Sequence, residues 1–342
     1  MRIGLSLLMI LMLGCSQPSG SQTGASSQAD TTYEWPNEPV QFYAAQPPVI
    51  DFSKYQPAGV NVTADYERYF GRMGDGLPTD LAELRNYKVI FVQGIMGNYV
   101  DFMGKLIMNK FDQYEYFYEH MDWLKSVGVE YERLKTDTED TIEANAILVE
   151  RAVRASSKPV VLVAHSKGGL ETLIALNDSP SLYPKVKGVL FMQSPFYGTP
   201  VADYLSDNPV WDFLANFVLA ILGGSNKAMH NLTSYERVPW MQKWDFLVQH
   251  VVKELRVLCF STWKDDEPNR RDSMFEFSRN KVKVDGGIDN DGLVPWNSMI
   301  LPNSRYVRFE GHDHGSTVTA NKYIQLDRPR FFRSLLQTLF AK

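Results

Sequence analysis

Short β-rich runs recur along this chain at 88–93 (KVIFVQ), 129–134 (VEYERL), 160–164 (VVLVA), 187–192 (KGVLFM), 254–260 (ELRVLCF) and 305–309 (RYVRF). Helical patterns lie between several of them. Ile142, Ala146, Val149 and Val153 fall four, three and four residues apart, which puts them on one helical face. Phe331, Leu335 and Leu339 repeat the pattern after Pro329. Apolar strands alternating with amphipathic helices predict an α/β fold, with a mostly parallel central sheet and helices on both faces. Residues 86–342 are expected to form that one domain.

The first residues read differently. MRIGLSLLMILMLGCS carries one basic residue, Arg2, then an apolar stretch from Ile3 to Leu13, then Gly14 and Cys15. That stretch is too short to span a bilayer and suits a secretory signal over 1–14. A small residue directly before a cysteine resembles the lipobox of bacterial lipoproteins. The resemblance implies a lipidated Cys15 that anchors the protein to a membrane of the bacterial cell envelope, the outer membrane by preference. An ordinary signal peptide and a secreted product are the alternative. Residues 15–32, rich in Ser, Gly and Gln, read as a flexible tether, and 33–85 as an ordered arm around the body. Cys259, inside VLCF, reads as a small buried hydrophobe outside any disulfide. With a net charge of −5 and no basic stripe, the chain offers nucleic acid no electrostatic footing.

The densest chemistry sits in VVLVAHSKGGLETLIAL (160–176). A strand delivers the chain to Ser166, and a helix starts at Gly168-Gly169-Leu170. So tight a turn crowds its apex, and small residues two before and two after, Ala164 and Gly168, relieve the crowding. The turn exposes the hydroxyl beyond the carboxyl end of the sheet. It also aims the Lys167 N–H, at a helix N-terminus, toward a developing oxyanion, while the Lys167 side chain is expected in solvent. The same residues also suit a serine-capped helix start without chemistry.

This strand–turn–helix pattern resembles the nucleophile elbow of α/β-hydrolases, with Ala164 where the first glycine is usual. The resemblance implies a chain order of serine, acid, histidine. That order excludes His120 and His165 as the base and disfavours His230 and His250. His312 and His314, in RFEGHDHGSTV, remain. Gly-x-Asp-His is similar to the histidine loop of lipases and favours His314, with His312 as the alternative and Asp313 as a loop brace. Asp-Gly-Leu-Val-Pro resembles the lipase acid motif and names Asp291; Asp265 and Asp266 are the rivals. FVQGIMGN (91–98) is similar to the lipase oxyanion loop, with Gln93 where His is usual, and implies that the Ile95 amide joins that of Lys167.

QSPFYGTPVADYL (193–205) resembles the strand exit of the same family. An apolar insertion follows, with NPVWDFLANFVLAILGG (208–224) at its centre, where lipases carry a helical lid; the expected cap spans about 200–250. The resemblance implies a serine hydrolase of carboxylic esters with hydrophobic acyl chains, needing no cofactor and, without the family's calcium pattern, no metal. A thioesterase, phospholipase or acyltransferase on the same three residues is the nearest alternative. A non-catalytic lipid-binding surface lipoprotein is the alternative of a different class.

Overall fold

The computed structural model describes residues 51–72, 74–95, 115–137, 140–207, 229–264, 288–320 and 324–341. The leader, Cys15, the 15–32 tether, the centre of the expected lid (208–228) and the rival acids Asp265 and Asp266 lie outside the described residues.

Among the described residues seven strands form one sheet: β1 (Gly59–Asn61), β2 (Lys88–Val92), β3 (Glu130–Leu134), β4 (Val160–His165), β5 (Val186–Met192), β6 (Val257–Trp263) and β7 (Ser304–Glu310). Their spatial order is β1-β7-β6-β5-β4-β2-β3, and every neighbouring pair is parallel. All six residues of β4 are buried, as are the last four of β2, so both faces of the sheet centre are covered. The outer strand β3 is polar instead, and Lys88 bridges to Glu132 across it at 2.6 Å.

The helices follow from local signals. In α3 (Ile142–Ala155), Thr141 caps the start by accepting from the Ala144 N–H at 3.2 Å, and Ile142, Ala146, Val149 and Val153 are buried, as their spacing predicts. The last helix, α8 (Arg328–Phe340), is capped by Asp327 and buries Phe331, Leu335 and Leu339. It packs with α1 (Thr63–Phe70) and α2 (Tyr118–Ser126), while α3 packs with α4 (Lys167–Asp178). Within the insertion, α5 (Pro200–Asp207), α6 (Ser234–Lys243) and α7 (Asp245–Glu254) are described. Asp203 holds the start of α6 by accepting from the Ser234 N–H and Oγ–H, both at 2.6 Å.

The strands otherwise keep within a residue of the pattern reading at each end, and two differ by more. Residues 59–61 enter the sheet as β1, paired with β7, and the following helix α1 docks on α8. Three exposed residues with no alternating pattern gave no sign of a strand until β7 supplied the partner. β6 starts at Val257 rather than Glu254, because Glu254 closes α7, and it runs on through Ser261 and Thr262. Those two hydroxyls are buried and satisfied by the carbonyls of Trp296 and His312, at 2.7 and 3.2 Å.

Parallel pairing sends every strand's carboxyl end to one rim. After β3 the chain crosses back over β2 to β4, so the segments leaving β2 and β4 part at a switch in strand order, where parallel sheets open a crevice. The segments holding Ile95, Ser166, Gln193, Asp291 and His314 follow the ends of β2, β4, β5, β6 and β7.

Candidate active site

Ser166 stands between β4 and α4 with φ 55° and ψ −129°, a conformation that a residue with a Cβ adopts only when its surroundings hold it there. Its N–H donates to the Met192 carbonyl at 2.9 Å, and its carbonyl accepts from the Gly169 N–H at 3.0 Å. Glycines make room for the turn. A Cβ on Gly168 would lie 2.5 Å from the Val92 carbonyl oxygen and 2.6 Å from that of Gln93. A Cβ on Gly94 would lie 2.8 Å from the Ser166 Cβ. The segment after β2 is therefore pressed against the elbow, with the buried Ile95 next in line. Backbone oxygens cannot swing aside as a side chain can. Gly168→Ala should therefore destabilise the fold by about 1–3 kcal/mol, read from urea unfolding at neutral pH.

The acid and base arrive on loops that brace each other. The Asn290-Asp291-Gly292 segment turns sharply, with Gly292 at φ 101° and Asn290 bridged to Pro295. Asp291 Oδ1 accepts from the N–H groups of Leu293 (3.0 Å) and Val294 (2.8 Å). Its backbone carbonyl accepts from the His314 N–H at 2.9 Å. Asp313 Oδ1 accepts from the Gly315 and Ser316 N–H groups at 3.1 and 2.7 Å, the bracing part expected of it. Arg328, from α8, donates to the Ser316 carbonyl at 2.8 Å and to Glu119 at 2.6 Å, tying the histidine loop to α2.

The result is a continuous chain of contacts. Ser166 Oγ–H donates to His314 Nε2 at 2.8 Å, and His314 Nδ1–H donates to Asp291 Oδ2 at 2.7 Å. All three side chains are buried. A hydroxyl, an imidazole and a fully hydrogen-bonded carboxylate in this order can move a proton off the hydroxyl as it attacks an electrophile. His312 is elsewhere: its ring stacks on Phe309 at 5.2 Å, and burial pushes it down to about 4. His230 sits beside Glu236, and the His250 ring lies tilted against that of Tyr183.

The Lys167 side chain is not in solvent. It is buried, its Nζ donates to the Asp140 carbonyl at 2.7 Å, and it pairs with Glu171 at 3.3 Å. Burial pushes the Glu171 carboxyl up to about 7 against the pull of Lys167 and of Asn145, which donates to it at 2.8 Å. Residue 167 faces inward because the first turn of α4 is covered by the segment between β3 and α3. Local pattern gives no view of that cover.

Sequence reasoning also passed over residues behind the site. His165, excluded as a base by chain order, has both ring nitrogens engaged, Nδ1 by the Tyr116 hydroxyl and Nε2 by Gln193 at 3.2 Å. Gln193 begins QSPFYGTPVADYL, whose pattern marks a strand exit and no more. Its signal was a large polar residue after a buried strand, and its partners lie as far as 124 residues away.

Sheet order, crossovers and the site's place at the strand ends give the chain the α/β-hydrolase fold. The solved structures it resembles carry the same architecture. A Bacillus licheniformis lipase in its mature form matches with a TM-score of 0.55 and 18% identity, over 75% of this chain and 92% of that one. A metagenomic carboxyl esterase matches at 0.56 and 17%, over 79% of each chain. EstA from Clostridium botulinum matches at 0.53 and 11%, over 85% of this chain and 96% of that one. No family model and no curated protein sequence matches the chain.

Proposed function

We propose that the protein is a serine hydrolase of carboxylic esters with hydrophobic acyl chains. The observation that carries this reading is the Ser166–His314–Asp291 chain, at 2.8 and 2.7 Å, on an elbow whose backbone is held out of the ordinary regions. The lipase and esterase names of the structural neighbours agree with it.

Ser166 Oγ attacks the ester carbonyl carbon as its proton passes to His314 Nε2. Asp291 remains a carboxylate and steadies the imidazolium through Nδ1–H. The N–H groups of Ile95 and Lys167 hold the oxyanion, and aligned donors of this kind contribute several kcal/mol in the transition state. The tetrahedral intermediate collapses, the imidazolium protonates the departing alcohol, and an acyl-enzyme remains on Oγ. Water, deprotonated by His314, then releases the acid and restores the serine. The apolar insertion supplies the acyl-pocket wall or lid, and the leader with Cys15 adds a lipid anchor in the cell envelope to this proposal.

A fluorophosphonate probe tests the reading, because it reacts only with a serine activated by its own base. Labelling should map to Ser166 and vanish in Ser166→Ala, with p-nitrophenyl esters of long acyl chains hydrolysed by the wild type. A folded wild type that neither labels nor hydrolyses any ester of the series overturns it.

A further inference from the structure

Behind Asp291 runs a set of buried polar contacts that the mechanism above does not use. Gln193 leaves β5 with φ 51°, in the left-handed region, and its side chain is fully buried. Its Nε2 donates to Asp291 Oδ2 at 2.8 Å and to the Asp313 carbonyl at 3.1 Å. Its Oε1 accepts from the Thr317 hydroxyl at 2.5 Å and from His165 Nε2 at 3.2 Å. Turning the amide over would set its oxygen against a carboxylate and a carbonyl, two acceptors, so one orientation is fixed. That orientation fixes His165 in turn. Nε2 carries its proton, and Nδ1 accepts from the Tyr116 hydroxyl. The His165 and His314 rings lie 4.8 Å apart, and burial with that neighbour keeps His165 neutral, so no second cation opposes an imidazolium at His314.

We infer that Gln193 is a positioning residue that locks the Asp291 carboxylate, with Thr317, His165 and Tyr116 locking Gln193. This rests on the reading of Ser166, His314 and Asp291 as the catalytic set. Among the described residues the carboxylate takes four N–H donors: Leu293 and Val294 on Oδ1, His314 and Gln193 on Oδ2. Three of them sit on its own turn or on the base it must orient. Gln193 ties it to the end of β5, independently of that turn and of the base. Without that tie, the imidazole is the one donor left to Oδ2 among the described residues, and it has a looser guide. The titratable groups facing the amide are Asp291, His165 and, through Asp291, His314; Asp313 meets it through its backbone carbonyl, with its carboxylate turned to the Gly315 and Ser316 N–H groups.

Full-length Gln193→Leu and Gln193→Glu, assayed on a p-nitrophenyl ester from acid to alkaline pH, test the inference. Gln193→Leu should lower kcat by about 10- to 100-fold, the cost of a lost hydrogen bond to a charged group, with KM unchanged. Gln193→Glu sets a second carboxyl against Asp291; the two share one proton, and as the pair gives it up the imidazolium is favoured, so the acid limb of kcat/KM should move up by about one pH unit or more. A purely structural part would not move that limb. Two folded variants with the wild-type kcat and acid limb overturn the inference. If Gln193→Leu fails to fold, Gln193→Glu decides alone: a shifted limb supports the inference and an unshifted one overturns it. Failure of both to fold overturns it too, since Gln193 would then be a determinant of the fold. Wild-type protein inert toward the fluorophosphonate would remove the inference together with the functional reading, and that failure shows before any variant is assayed.

Discussion

Alanine at position 314 should lower kcat for ester hydrolysis by about 10⁶-fold, while alanine at position 312, two residues away, should change it by less than about tenfold. The two imidazoles share one loop and differ only in what they touch. His314 joins Ser166 and Asp291 through its two ring nitrogens, and without it the hydroxyl has no acceptor for its proton. His312 lies flat on Phe309, and its Nδ1 has no hydrogen-bond partner among the described residues. Asp291→Asn should fall between them, at about 10⁴-fold. An amide NH₂ facing Nδ1 favours the tautomer whose proton sits on Nε2, where the serine proton must go. Turnover on a p-nitrophenyl ester, with folding checked by near-ultraviolet circular dichroism, measures all three. Equal losses in the 312 and 314 variants would reject the assignment of His314 as base.

The second large effect concerns stability in acid. His120 lies among Phe117, Phe332 and Phe91, with ring centroids 5.5, 5.0 and 6.4 Å away, and neither ring nitrogen has a hydrogen-bond partner among the described residues. Burial, with a smaller push from Arg328, drives it down to about 3 from an ordinary 6.5. The unfolded chain therefore binds a proton below pH 6.5 that the folded chain refuses. Stability is fully present above that pH and is lost as pH falls toward 3. At about 1.4 kcal/mol per unit the loss reaches roughly 5 kcal/mol, a large share of a domain's stability. His312, pushed down to about 4, adds to the same slope. His120→Leu keeps the volume and removes the proton site. Its urea-unfolding free energy should decline less steeply than the wild type between pH 6.5 and 4. Parallel declines in the two proteins would mean that His120 does not carry the effect.

Much of the site is legible in the residue order. The elbow can be read locally because each of its requirements is local: an apolar run, a crowded serine, glycines at fixed offsets and a helical pattern beyond. Asp291 and His314 are legible only through likeness to motifs, since nothing within either loop says that the other will be near. Gln193 and the inward Lys167 were not legible. Their partners come from segments far along the chain, and a long polar side chain beside a buried strand reads as exposed until its cover is known. The strand at 59–61 failed for a related reason, since three exposed residues become a strand only when an edge accepts them.

The sequence by itself determined the alternation of strands and helices, the buried helix faces within 142–153 and 331–339, and the strained turn at Ser166, because these depend on spacing and steric limits within a few residues. Tertiary structure alone decided which imidazole meets the hydroxyl, which carboxylate meets the imidazole, and which amide holds that carboxylate. Parallel pairing brings the ends of five strands to one rim, and contacts between residues 23 to 148 positions apart exist only once it has done so.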